Sequence, residues 1–216
     1  MNNILSLIIP SLNETLFMVG LSTLLTILLG LPLGITLVVT DENHILPNKS
    51  VNRILSWIIN ITRSLPFIIL MVFIIPFTRF VVGTTLGTKA AIVPLVIAAT
   101  PFYARVVESS IREIQWGVIE ASLAMGATPM KIITQVLIPE ATPSLVLGIT
   151  ITLINIVGYS AMAGAIGGGG LGDLAIRYGY QRFRVDIMWS TIIVLILLVQ
   201  IIQSTGNKLA SLINKK

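Results

Sequence analysis

Long uncharged stretches restrict the possible folds more than any other feature of this chain. Residues 15–40, between Glu14 and Asp41, carry no charge over 26 positions, and residues 187–207 carry none over 21. About 20 consecutive apolar residues in a helix are enough to cross a bilayer. Only 11% of the 216 residues are charged, whereas a soluble domain is about a quarter charged. We therefore expect an integral membrane protein.

The hydropathy pattern predicts an all-α, polytopic membrane protein with five transmembrane helices, at about 15–40, 54–78, 90–108, 141–163 and 187–207. Residues 1–12 would form an extracytoplasmic N-terminus, 13–206 one transmembrane domain, and 208–216 a cytoplasmic tail. With the loop before the fourth span in the cytoplasm, eight Lys and Arg side chains lie inside and five outside. The sign of this difference agrees with the positive-inside rule.

Two glycine patterns suggest close packing or bending of the spans. Gly30 and Gly34 form a GxxxG motif around Pro32, which predicts either close helix packing or a proline-kinked helix end. The run 167–170 consists of glycine alone and cannot hold a regular helix. We interpret it as a hinge or re-entrant turn, followed by a short surface helix that reaches Tyr180.

Arg63 interrupts the second predicted span. It lies ten residues after Arg53, or about 15 Å along a helix. A charge inside a span is costly unless it faces protein or water. One hypothesis places Arg63 in the bundle interior, paired with Glu108, Glu120 or Glu140. The other starts the helix later, near Pro66, and leaves Arg63 at the membrane interface.

Residues 117–139 are more polar than the long apolar segments around them, because they carry Glu120 and Lys131. Residues 117–125 favour a helix, and Gly126 suits the left-handed position just past a helix end. Thr128 and Pro129 then read as the N-cap and first position of a second short helix outside the bilayer. The first helix would carry a smooth face formed by Gly117, Ala121 and Ala124. Such a face fits close approach of a partner, or ordinary packing on the same chain.

The motifs of the common enzyme classes are absent from the sequence. There is no GxxxxGK[ST] motif, no Ser/His/Asp set and no cluster with metal-ligand spacing. The sole histidine, His44, lies in a polar loop and we read it as solvated; cysteine is absent. We predict no enzyme activity, no cofactor and no metal. The net charge of +5 does not require nucleic acid, because Lys and Arg collect at the cytoplasmic ends of spans.

A family resemblance rests on the 117–139 stretch. Glu120-Ala-Ser, then Gly126, then Val136-Leu-Ile-Pro139 resembles the Glu-Ala-Ala…Gly…Ile-x-Leu-Pro loop of type I ABC-importer permeases. Ser122 stands where a second alanine is usual. Further stretches are similar to the methionine-importer permeases in particular, including Arg63-Ser-Leu-Pro66 and Gly158-Tyr-Ser-Ala-Met162.

The resemblance implies a permease of the bacterial cytoplasmic (inner) membrane, surrounded by lipid. In that family residues 113–139 would be a cytoplasmic coupling loop that docks into a separate ATPase. The residues expected at the contact are Glu120, Ala121, Gly126, Ala127, Thr128, Pro129, Lys131 and Pro139. The expected partners are a second copy of this chain, two ATPase subunits and an extracytoplasmic methionine-binding lipoprotein.

The translocation path is less constrained by the sequence. Tyr159, Ser160 and Met162 are the distinctive side chains of a small-residue stretch, so we predict that they line the path or its gate, unless they are packing residues. A permease for another small neutral or zwitterionic solute remains an alternative. So does a small channel or a secondary transporter that works without an ATPase. Secondary transporters usually keep Asp, Glu or His within their spans, and the predicted spans contain none ahead of Glu108, the last residue of the third.

Overall fold

The chain is helical over nearly all of the part that the structure describes. The structure, a computed structural model, describes residues 2–214, with side chains from residue 4 onward, and no strand occurs among them. The all-α prediction is confirmed. In chain order the helices are α1 (Asn2–Val39), α2 (Lys49–Ser64), α3 (Phe67–Phe73), α4 (Ile75–Val82), α5 (Thr88–Arg112), α6 (Trp116–Ala124), α7 (Pro129–Ile132), α8 (Ile138–Ala165), α9 (Gly170–Leu174) and α10 (Val185–Ile213). Two π-helical turns, Ile133–Leu137 and Ala175–Tyr180, follow α7 and α9.

The described residues contain four helices long and apolar enough to cross a membrane, or five spans if the bent pair of α2 and α3 counts as one. The four are Ile4–Val39, Thr88–Arg112, Pro129–Gly164 and Val185–Ile213. Each is longer than predicted, and α1 already begins at Asn2 instead of 15. Residues 2–12, for which the sequence predicts a segment outside the transmembrane domain, belong to helix α1; the boundary of that domain stays a prediction.

The second span is not one straight helix over 54–78, as the sequence analysis proposed. The axes of α2 and α3 differ by 105° across Leu65 and Pro66. Proline lacks the N–H that would continue the helix and pushes the preceding residue out of the helical region. Leu65 accordingly has φ −84° and ψ 127°. The helix therefore breaks within the span.

Helix α5 lies between α1 and α8 at the centre of the bundle. A Cβ added to Gly34 of α1 would lie 2.5 Å from the carbonyl oxygen of Ala104, and one on Gly30 would lie 2.9 Å from the Tyr103 ring. On the other side of α5, a Cβ on Gly148 would lie 2.4 Å from Val106. The close-packing interpretation of the GxxxG motif is confirmed, because a side chain at either glycine would push α1 away from α5.

The glycine run turns the chain back into the bundle. Gly167, Gly169 and Gly170 all have positive φ, which glycine adopts without steric cost. The following α9 is buried, and a Cβ on Gly172 would lie 2.2 Å from the carbonyl oxygen of Ala161. The predicted re-entrant turn agrees with this geometry, but the predicted surface helix does not, because glycine lets α9 pack directly on the backbone of α8.

A carboxylate of α1 holds this re-entrant segment. Glu14 accepts a hydrogen bond from the backbone N–H of Gly170 at 2.7 Å, and Thr15 accepts one from the N–H of Leu171 at 2.9 Å. The prediction that the interior of the spans holds no carboxylate is therefore wrong, because α1 includes Glu14. In the structure this carboxylate serves as a hydrogen-bond acceptor for the backbone of the re-entrant segment.

Candidate functional site

The first candidate site is the loop that the sequence analysis singled out. Helix α6 runs from Trp116 to Ala124, one residue earlier at each end than predicted. Gly126 follows with φ 76°. Its N–H donates to Leu123 O at 2.9 Å, and the N–H of Ala127 donates to Ser122 O at 3.1 Å. These two bonds form a Schellman motif, which satisfies the last carbonyls of α6.

Buried aliphatic side chains attach this loop to the rest of the protein. Ile119 of α6, Ile132 of α7 and Leu137 of the π turn are almost fully buried, in one cluster with Val107 and Ile111 of α5. Each such side chain contributes roughly 1.5–3 kcal/mol when it leaves water. The loop is therefore a rigid extension of α5 and α8, and a force applied to it would be transmitted to both helices.

Charged groups brace the same region from the α1–α2 loop. Arg112, at the end of α5, contacts Asp41 at 2.7 Å and Glu108 at 3.0 Å. The hydrogen bond from Arg112 is the main reason that the pKa of Asp41 lies below its usual value. Because the Arg112–Asp41 pair is about half-exposed, it stabilises the fold by at most about 1 kcal/mol.

His44 packs against Trp116 of α6 and is half-buried, whereas the sequence predicts a solvated side chain. Its ring meets Trp116 edge-on at 5.6 Å between centroids. Burial, followed by the charge of Arg112, lowers the pKa of His44. The imidazole is half-buried because the 41–48 loop folds back onto α6, a contact between distant residues that composition does not reveal.

The outer face of the loop is exposed and largely apolar. Gly117, Glu120, Ala121 and Ala124 of α6 are all exposed, and Gly117 has open space around the position of a Cβ. Beside them, Met125 is 81% exposed and Met130 is 67% exposed. Exposed apolar side chains around a smooth helix face are typical of a surface that a partner covers. We call these residues, 117, 120, 121, 124, 125 and 130, the coupling face, after the contact that the sequence predicts there.

The charges predicted at the contact are unpaired within residues 2–214. Glu120 and Lys131 are exposed and make no hydrogen bond or ion pair there. Glu120 therefore does not cap the turn at Gly126. Thr128 occupies the N-cap position of α7 with extended backbone, but its side chain makes no capping hydrogen bond. Pro129 is the first residue of α7, and Ala127 and Pro129 are half-buried.

The second short helix is not separate from the fourth span. Helix α7 continues through the π turn into α8, so that one helix of 36 residues runs from Pro129 to Gly164. Pro139 is exposed near the start of α8 and does not begin a new helix after a loop. It lies ten residues after Pro129, or about 15 Å along this helix. Pro139 lines a groove of about 800 Å³ between α8 and the end of α10, away from the coupling face.

The second candidate site is a small cavity beside the break in the second span. Arg63, in the last turn of α2, places its guanidinium carbon 6.0 Å from the ring centroid of Phe102. The cavity holds about 140 Å³ and is lined by Thr62, Arg63, Leu65, Phe67, Ala98, Phe102 and Tyr159. These residues come from α2, α3, α5, α8 and the break between α2 and α3, which pack together at this point.

The ion pair predicted for Arg63 does not form. Within the described residues Arg63 makes no ion pair, and Glu108 is taken by Arg105 at 2.5 Å and by Arg112. The other hypothesis, with a helix that starts near Pro66, agrees with the break, since α3 begins at Phe67. Arg63 is exposed beside Phe102, which is residue 15 of the 25 in α5. The position of Arg63 at the membrane interface stays a prediction.

The three predicted path residues point in different directions. Tyr159 lines the cavity and stacks on Phe67, with ring centroids 4.6 Å apart and planes within 9°. Met162 is 45% exposed. Ser160 is buried, and its hydroxyl donates to Val157 O at 2.8 Å. The structure therefore brings Tyr159 together with Arg63, while Ser160 faces the core; the path roles of all three stay predictions.

Comparison with known families decides the class of the protein. The family described as "Binding-protein-dependent transport system inner membrane component" matches residues 27–206. The chain belongs to this family. Its members are inner-membrane components of transport systems, so the predictions of a multi-pass membrane protein and of no enzyme activity are confirmed.

Individual relatives of this inner-membrane component agree with that assignment. The chain is 53% identical to the probable D-methionine transport system permease protein MetI of Vibrio cholerae, covering 91% of this chain and 87% of the relative. It is 46% identical to the methionine import system permease protein MetP of Bacillus subtilis, covering 83% and 81%. A chain of the MetNI methionine ABC transporter, solved in inward-facing conformations, matches with a TM-score of 0.98 and 47% identity, covering 100% of both chains.

Sequence reasoning missed the residues that hold both sites in place. Ile119 and Ser122, three positions apart, form the buried side of α6 opposite its smooth face, and the helical period of that segment contained this information. Phe67 and Phe102 were missed as cavity walls. No local pattern distinguishes them from other apolar residues of a span, since their role depends on which helices pack together.

Proposed function

We propose that this chain forms the translocation path of an ATP-driven importer for methionine. Two copies enclose the path, a separate ATPase subunit binds the coupling face of each copy, and an extracytoplasmic binding protein delivers the solute. The family, the named relatives and the MetNI match support this function. A path between two copies also suits the size of the chain, since five spans enclose little volume and two-fold dimers are the commonest closed assembly.

The observation that carries the proposal is the combination of a rigid attachment and an unpartnered face in one loop. Ile119 and Ile132 fix the loop to α5 and α8, whereas Met125 and Met130 are exposed at its surface. Movement of a docked ATPase would therefore shift α5 and α8 together. Both helices line the cavity at Arg63 through Phe102 and Tyr159, so the same movement would open or close the path.

The binding determinants at the loop follow from the same geometry. Met125 and Met130 supply adaptable apolar contacts, and the smooth side at Ala121 and Ala124 admits close approach of the partner. Glu120 and Lys131 have no partner of their own within residues 2–214, so both are free to pair with charges of the ATPase. Gly126 fixes the angle between α6 and α7.

The experiment is reconstitution in proteoliposomes with and without the ATPase partner. The expected result is uptake of radiolabelled methionine that requires ATP, the ATPase and the binding protein, with no flux through the chain alone. Uptake through the chain alone would overturn the proposal in favour of a channel or secondary transporter. ATP-dependent uptake of another neutral or zwitterionic amino acid, with none of methionine, would keep the importer and replace its substrate.

A further inference from the structure

We propose that Arg63 binds the carboxylate of the transported amino acid, in the cavity that it shares with Tyr159. The inference rests on the proposed function and adds to it the group that recognises the solute. It assigns the apolar side chain of the solute to the aromatic wall formed by Phe67, Phe102 and Tyr159, which line the same cavity.

The first argument is that Arg63 has no anionic partner within residues 2–214, although it belongs to the broken second span. Its side chain is exposed beside Phe102, near the middle of α5, with the guanidinium carbon 6.0 Å from the centroid of that ring. A cation in a span persists only where it faces protein, water or an anion. The next cation along α5 toward the coupling loop, Arg105, is already held by Glu108 at 2.5 Å and by Asn60 at 2.9 Å. Arg63 is the guanidinium left open to a mobile carboxylate.

The second argument is the break in the span beside Arg63. Within the bilayer, irregular backbone is tolerated where it is buried in protein or lines a water-filled cavity. Binding sites of transporters are typically built at such discontinuous helices. Leu65 is exposed at the break and lines the cavity with Arg63. The same few residues therefore supply both the open space and the positive charge.

The third argument is the chemistry of the cavity wall. The rings of Phe67 and Tyr159 stack at 4.6 Å and present an aromatic surface next to the guanidinium. A thioether makes favourable contacts with aromatic rings, with the sulfur about 5 Å from the ring. A guanidinium binds a carboxylate through two parallel hydrogen bonds. An amino acid with a flexible apolar side chain matches both parts of this site.

The fourth argument is a polar stripe that continues from the cavity toward the coupling loop. Asn60 lies three residues before Arg63 on α2, so the two share a face. Arg105 lies three residues after Phe102 on α5 and contacts both Asn60 and the carbonyl oxygen of Ser56. A solute released from Arg63 thus meets hydrogen-bonding groups on its way toward the loop, instead of an apolar seal.

The experiment uses the complete complex of this chain with its ATPase partner in lipid nanodiscs. The probe is a diazirine analogue of methionine that keeps the amino and carboxylate groups, and labelled peptides are identified by mass spectrometry. We expect labels in the peptides that contain Phe67 or Tyr159. Excess methionine should block the labelling, whereas methioninamide, which lacks the carboxylate, should not.

Variants at position 63 then test the charge. Arg63→Gln should lower the labelling at least tenfold, and Arg63→Lys should retain part of it, because a cation remains. The matched control is Arg53→Gln, which removes an arginine from the exposed surface of the same helix and should leave the labelling unchanged. A merely structural role of Arg63 would not discriminate methionine from methioninamide.

Several results would overturn the inference. They are equal competition by methioninamide, wild-type labelling in Arg63→Gln, or labels confined to peptides away from the cavity. The competition experiment needs only the wild-type complex, so it decides even if Arg63→Gln fails to fold. ATP-dependent methionine uptake is measured on the same preparations. If the wild-type complex takes up no methionine, the proposed function fails; if it does and the labelling ignores Arg63, this inference alone fails.

Discussion

Replacing Gly126 should uncouple ATP hydrolysis from transport. The residue has φ 76°, a region that L-residues with a Cβ rarely enter. This conformation directs the N–H groups of Gly126 and Ala127 to the carbonyl oxygens of Leu123 and Ser122. A Cβ at position 126 would meet no other atom within 4 Å. The effect of a substitution is therefore backbone strain alone, without a clash.

The magnitude follows from the cost of the left-handed conformation. An L-residue there costs about 1–2 kcal/mol, and a β-branched residue such as valine costs more. A change of this size multiplies the population of a competing turn by about 5–30. Asparagine tolerates the left-handed region better than alanine does. We therefore expect uptake per ATP hydrolysed to fall in the order Gly, Asn, Ala, Val at position 126.

The assay is the ratio of methionine uptake to ATP hydrolysis in proteoliposomes that contain the complete transporter. Gly83 offers a matched control, because it also has positive φ, 80°, and open space around the Cβ position. It ends α4, at the opposite end of the bundle from the coupling face. Gly83→Val carries the same intrinsic strain and should lower thermal stability while keeping the ratio of uptake to hydrolysis.

Two results would refute the reasoning. Gly126→Val with the wild-type ratio of uptake to hydrolysis would show that the angle between α6 and α7 does not matter for coupling. Equal losses in Gly126→Val and Gly83→Val would show that the effect is general destabilisation. If Gly126→Val no longer binds the ATPase, as measured by co-purification, the turn is needed for docking as well as for force transmission.

Three further predictions concern packing, pH and the path. Gly34→Ala should destabilise the protein by about 1–3 kcal/mol through overpacking, since its Cβ would lie 2.5 Å from Ala104 O. The control is Gly20→Ala, whose Cβ would meet nothing within 4 Å and whose melting temperature should stay near that of the wild type. Equal shifts of the melting temperature in the two variants would contradict this. Because burial lowers the pKa of His44, its contribution to stability is present above about pH 6.5 and is lost as pH falls through the lowered pKa. Melting temperature should thus fall more between about pH 7 and 5 in wild type than in His44→Gln, and parallel curves would contradict the assignment. Ser160→Ala should keep methionine uptake within about twofold of the wild type, because the hydroxyl donates to Val157 O and such a bond contributes roughly 1 kcal/mol. A large loss of uptake would show that Ser160 lines the path.

The sequence predicts helix α6 and the turn at Gly126 to within one residue, but it predicts neither the continuous helix from α7 into α8 nor the cavity. Gly126, Thr128 and Pro129 each express a preference for particular backbone dihedrals, which depends on the residue itself and its immediate neighbours. The smooth exposed face of α6 followed from helical periodicity in the same way. The predicted ion pair of Arg63 is wrong because its neighbour, Phe102, lies 39 positions away. No local preference selects among the distant residues of other helices.

The sequence by itself determined that the chain crosses a membrane in five helical spans, and where its bent loop lies. Hydropathy and dihedral preference are local properties, and without water in the bilayer core the backbone must form helices. Only the tertiary structure showed that Glu14 lies inside α1 and binds the backbone of Gly170. It also decided that the second span bends by 105° and that Arg63 lies beside an aromatic cavity. These features depend on which helices pack against each other, and that is set by the shapes of side chains far apart in the sequence.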